Sequence, residues 1–107
     1  MRLVLAGIAV LGFCAATQAA ADKAKPQLVY ALGDVLASEE FCGLSYDQEA
    51  IADYVSKNVP ASDMGFTDRL YTATAASKRS FNDKTTSEKT AHCTQVKRVA
   101  KLNGFIK

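Results

Sequence analysis

Cys42 and Cys93 stand 51 positions apart, and each falls on an apolar stripe of helical period. Two stripes that each carry a cysteine can be stapled face to face, which relates the first and last helical segments before any other contact is considered. The first stripe is Leu28, Leu32, Val35, Leu36 and Cys42; the second is Cys93, Val96, Val99 and Ala100. Both follow the 3.6-residue period, and no run of period two is long enough to read as a strand. The chain therefore reads as all-α, a small bundle of about four helices stapled by one disulfide.

Local signals place the helix ends. Pro26 suits the first turn of helix one, and Gly43 suits its stop. Ser45-Tyr46-Asp47-Gln48 reads as a Ser-x-x-Gln capping box opening helix two, whose stripe is Ala50, Ile51, Tyr54 and Val55 and whose end is Val59-Pro60. Ser62 or Asp63 is the expected cap of helix three, with Phe66, Leu70, Ala73 and Thr74 on one face. The small residues of Thr72 to Ser80 predict a frayed end, and Lys78 to Thr86 reads as a polar loop. Thr85-x-x-Glu88 opens helix four; Asn103-Gly104 closes it, with Phe105-Ile106 folding back on the last turn.

The N-terminus has the parts of a secretory signal: Arg2, an uncharged apolar run of 14 residues from Leu3 to Ala16, then the small residues Ala19, Ala20 and Ala21. The run is short of the roughly 20 residues a bilayer core demands, which argues against a retained anchor. Cys14 stands near the end of the apolar run, after Leu11-Gly12-Phe13, where a lipidated cysteine could lie, but Phe13 is bulkier than such processing accepts. The expected division is a signal peptide over 1–21 and a helical domain over 22–107, exported to the periplasm with no integral membrane segment after cleavage. In an oxidising compartment the two remaining cysteines most simply pair with each other. Closing that loop restricts the unfolded chain by about 4 kcal/mol in the chain-entropy picture. That matters because a domain of about 86 residues buries only about 60–65% of its extended surface.

Charge is segregated along the chain. From Pro26 to Asp68 there are eight acidic residues and one basic residue, a balance of −7; from Arg69 to Lys107 there are nine basic and two acidic, a balance of +7. The halves attract each other in one small domain, and acid that protonates the first leaves the positive charge of the second unopposed. The mature chain as a whole, with 12 basic residues against 11 acidic, is nearly neutral, so nothing points to nucleic acid.

The candidate chemistry is thin. Cys42, His92 and Cys93 lack a fourth ligand and the close pairs of a zinc site, so no metal and no cofactor is expected. No Cys-x-x-Cys or paired base and nucleophile supports catalysis, so the chain reads as non-enzymatic, with no catalytic residue. His92 lies at the edge of the inner face of helix four and reads as a packed histidine rather than a pH switch. Glu39 falls within the apolar stripe of helix one. Either the helix loosens after Ser38 and the carboxylate reaches water, or it is partly desolvated and becomes a candidate acid sensor. Lys97, Arg98 and Lys101 point outward from helix four and form a candidate docking surface for an acidic partner or an anionic membrane surface.

The run His92-Cys93-Thr94-Gln95-Val96-Lys97, the charged leader from Lys23 to Pro26 and the cysteine spacing resemble the HdeA-type periplasmic acid-stress chaperones. That family is small, exported and helical, with one disulfide. This chain differs in having no tryptophan before its first cysteine and Gly43-Leu44 after it. Gly43 to Asp47 is also similar to a run in small exported helical proteins of alphaproteobacteria. The resemblance implies that low pH loosens the fold or a homodimer and exposes apolar surface that holds unfolding periplasmic proteins. The expected function is thus an acid-responsive holdase, with Glu39 sensing acid; the alternative is an interaction module that docks through its basic C-terminal helix.

Overall fold

The computed structural model describes residues 23–107. The segment read as a signal peptide lies outside the described residues. Four α-helices follow in order: α1 (Pro26–Phe41), α2 (Gln48–Asn58), α3 (Phe66–Ser80) and α4 (Thr86–Leu102), with a 3₁₀ turn, Phe81–Asp83, between the last two. Among the described residues there is no strand.

Pro26 occupies the first turn of α1, where its missing N–H leaves no bond unmade. The helix stops at Gly43, whose φ of 66° admits the left-handed residue that the stop needs. The Leu44 amide donates to the Glu39 carbonyl (2.8 Å) and the Gly43 amide to that of Glu40 (3.1 Å). Helix α4 ends in the same way at Gly104: Phe105 N–H reaches the Ala100 carbonyl (2.8 Å) and Gly104 N–H that of Lys101 (3.1 Å). This reversal turns Phe105 back into the core, where it is fully buried against Tyr46 and Tyr54. The expected capping box of α4 is present in both directions: Glu88 N–H donates to Thr85 Oγ1 (3.1 Å) and Thr85 N–H to Glu88 Oε1 (2.9 Å).

Three expectations are corrected. The cap of α2 is Asp47, whose Oδ1 accepts from the amides of Glu49 (3.0 Å) and Ala50 (3.4 Å), and not Ser45. The reason is tertiary: the Tyr46 amide is taken by Glu39 Oε2 and the Asp47 amide by the Phe105 carbonyl, so the helix starts only after both are satisfied. Helix α3 has Gly65 as its N-cap with no side-chain bond, because the Asp63 carboxylate is engaged elsewhere. Its C-terminal half runs intact to Ser80, and the expected polar loop contains the 3₁₀ turn with buried Phe81.

Helix α1 packs most extensively on α3 and more briefly on α4. Val29, Leu32 and Val35 of α1 meet Phe66 and Ala73 of α3 and Ala100 of α4 in one core. Helix α2 buries no residue fully and lays Ala50, Ile51, Tyr54 and Val55 on the side of that core.

Candidate functional site

The two cysteines are joined. Cys42 at the C-cap of α1 and Cys93 in α4 form a disulfide with Cα atoms 5.5 Å apart. Beside it Phe41 stacks on Phe81 with ring centroids 4.4 Å apart, and His92 stands edge-on to Phe41 and tilted against Phe81. The Lys89 ammonium lies 4.7 Å from the Phe41 ring centroid. His92 Nε2 is 2.8 Å from the hydroxyl of Ser38, which is fully buried. Disulfide, aromatic cluster and hydrogen bond together fasten the C-terminal end of α1 to α4.

Glu39 sits in the last regular turn of α1, which does not loosen after Ser38. Its half-buried carboxylate accepts the Tyr46 amide at 2.7 Å and braces the loop into α2. Tyr46 itself is buried and donates its hydroxyl to the Val35 carbonyl (2.7 Å). Burial first, then the charges of Glu39 and Asp34, push its phenol up to about 12.

The carboxylate that holds the other end of α1 is Asp63, one of the two expected caps of the third helix. Its Oδ1 and Oδ2 accept from both terminal nitrogens of Arg69, at 3.1 and 2.7 Å, and Oδ2 also accepts the backbone amide of Ala24 at 2.9 Å. The Asp63 side chain is 2% exposed and that of Arg69 40%. The bond from Arg69, with that from Ala24, holds the Asp63 carboxyl below its ordinary range. No local signal marks this latch, since six residues separate Asp63 from Arg69 and 39 separate it from Ala24.

The latch lies at one end of a groove of about 620 Å³ between α1 and α3. Pro26, Val29 and Tyr30 form one wall, and Arg69, Ala73 and Ala76 line the other side. Tyr30 is 67% exposed. This is apolar surface left open to solvent next to a charged lock.

Lys97, Arg98 and Lys101 are all exposed on α4. Lys101 is one turn from both Lys97 and Arg98, and Arg98 also donates to Gln95 Oε1 at 3.3 Å. Lys97 also borders the open groove beside the disulfide, together with Lys89 and Glu40. Despite the −7 and +7 halves, Asp63–Arg69 is the only ion pair among the described residues. Among them too, no group of His, Cys, Asp and Glu is arranged to hold a metal ion, and no helix is long and apolar enough to cross a membrane.

Comparison with known proteins yields no match to this chain among family models, curated proteins or solved structures.

Proposed function

We propose that this domain is a non-enzymatic, acid-responsive binder of unfolded protein in the periplasm. The observation that supports the reading best is the Asp63 latch standing beside the open α1–α3 groove. Protonation of Asp63 removes the charge that Arg69 and the Ala24 amide converge on. The start of α1 then loses its tie to the segment before α3, and the apolar residues between the two helices become available to a client. Acid acts in the same direction on the whole molecule, because neutralising the carboxylates of residues 26–68 leaves the basic half repelling itself. The disulfide keeps the far end of α1 on α4 while this happens. In this reading Glu39 is a second brace, its carboxylate holding the Tyr46 amide.

The test is to follow helicity, binding of an apolar dye and protection of an aggregating client between pH 7 and pH 2. The reading expects dye binding and protection to rise together below about pH 4. It further expects the Asp63→Asn variant to show part of both at pH 7. A fold unchanged to pH 2 that neither binds dye nor protects a client overturns it.

A second reading is an interaction module that docks an acidic partner or an anionic membrane through α4. Its support is that Lys97, Arg98 and Lys101 are exposed and without an acidic partner among the described residues. Charge reversal at the three positions discriminates. Docking by α4 should be abolished and should weaken with salt, since exposed charges are screened over about 8–10 Å. Client protection by the apolar groove should survive both.

A further inference from the structure

Helices α1 and α4 touch over a short length, at the disulfide and the Ser38–His92 bond, and next to that contact they leave a wedge of about 220 Å³. Its apolar lining comes from Leu32 and Val35 on α1 and Val96 and Val99 on α4, with Tyr54 of α2 at its border. A space of this size is below that of a drug-sized pocket, yet it holds the equivalent of about seven waters, enough for a short organic molecule. The polar groups on its rim are unequal in charge. Gln95 and Asn103 are neutral amides, His92 lines the wedge with its Nε2 engaged by the Ser38 hydroxyl, and no lysine or arginine contributes to the lining. Asp34 contributes a half-buried carboxylate, and among the described residues no cation stands within ion-pair distance of it. The Asp34 backbone is occupied, its carbonyl accepting the Ser38 hydroxyl at 2.6 Å, but that bond makes no use of the side chain.

We propose that this wedge is a binding site for a primary amine with a short apolar body, the ammonium pairing with Asp34 and the hydrocarbon lying on Leu32, Val35, Val96 and Val99. The chemistry follows from the two properties of the site. An apolar lining favours a hydrocarbon of a few carbons, and a partly desolvated carboxylate lacking a counter-ion favours a cationic donor over a neutral or anionic head. The proposal stands apart from the acid-response reading, since it involves neither the Asp63 latch nor the α1–α3 groove.

Three probes with the same chain decide it: n-hexylammonium, n-hexanol and hexanoate, titrated at pH 7 and constant ionic strength against the mature, disulfide-bonded protein. Methyl resonances of Leu32, Val35, Val96 and Val99 serve as the readout. Hexylammonium should shift them saturably and bind at least about tenfold more tightly than hexanol, with hexanoate weakest, and Asp34→Asn should reduce hexylammonium to the level of hexanol. Val99→Phe, which fills the wedge, should remove both. Equal binding of amine and alcohol, shifts confined to other parts of the molecule, or an amine preference that survives Asp34→Asn each overturns the proposal. The probe series on the unmutated chain settles the matter even where a variant fails to fold.

Discussion

Gly33 on α1 and Ala73 on α3 face each other so closely that a Cβ on residue 33 would stand 2.9 Å from the Ala73 Cβ and 3.2 Å from the Thr74 nitrogen. Backbone rather than a flexible side-chain tip limits any relief. The principal helix pair of the fold is therefore set by an absent side chain. Gly33→Ala gains up to about 1 kcal/mol of helix propensity but forces α1 and α3 apart. Overpacking costs about 1–3 kcal/mol, so the variant should be less stable by about 1–2 kcal/mol in urea denaturation. Adding Ala73→Gly to it should restore part of the loss, whereas a Gly33→Ala chain as stable as the parent would show that the helices separate freely.

That contact also explains what could be read in advance. The stripes of α1 and α4, both cysteines, the Thr85–Glu88 box and the stops at Gly43 and Gly104 are local patterns, and each is where the sequence places it. The small residues from Thr72 to Ser80 offer little side chain to bury and so read as a frayed end, because their packing role depends on which helix crosses them. Phe81, alone among polar neighbours, has no periodic partner, and its stacking on Phe41 depends on a residue 40 positions earlier. The same holds for the latch: Asp63 looks like any loop aspartate until the fold brings Ala24 to it.

The latch gives the stability a defined pH dependence. A carboxyl whose folded pKa lies below its unfolded value contributes stability above the unfolded value, about 4, and loses it as pH falls through the folded one. Asp63 has that sign because of Arg69 and the Ala24 amide, and Glu88 has it because of its bonds with Thr85. Asp63→Asn should therefore lower the melting temperature at pH 7, and its deficit should shrink toward pH 2 as the parent carboxyl takes up its proton. Thermal melts of both chains at the two pH values check this, and a variant deficit that persists undiminished at pH 2 would assign Asp63 a role other than charge.

Ala24 is buried and its amide is bound, so the latch also sets a limit on processing. Protein recovered from the cell envelope should begin at or before Lys23, with Asp22 the expected first residue. Mass measurement under non-reducing conditions should find no free thiol on the mature chain. Cys42→Ser or Cys93→Ser should cost about 4 kcal/mol by releasing the unfolded loop, a large share of the 5–10 kcal/mol available to a domain of this size. Two freely alkylated thiols, or a first residue beyond Lys23, would contradict this account.

The Ser38–His92 bond has a donor that can be fixed by counting hydrogens. The Ser38 hydroxyl has one, and its oxygen lies 2.6 Å from the Asp34 carbonyl and 2.8 Å from His92 Nε2. Two oxygens at 2.6 Å repel unless a hydrogen lies between them, so the Ser38 hydrogen goes to Asp34 and His92 must bring its own. Neutral His92 is accordingly the Nε2–H tautomer, and nitrogen chemical shifts of the ring should show Nε2 protonated and Nδ1 bare. A proton added in acid goes to Nδ1, and the bond to Ser38 persists. It follows that His92 does not release α1 from α4 when the pH falls. Ser38→Ala, which leaves the half-buried ring N–H without its acceptor, should cost about 1 kcal/mol. The acid midpoint of dye binding should stay in place when the loss of overall stability is matched by a variant in the core. A ring found with Nδ1 protonated and Nε2 bare in the neutral form would reverse the assignment and make the Ser38–His92 bond acid-sensitive.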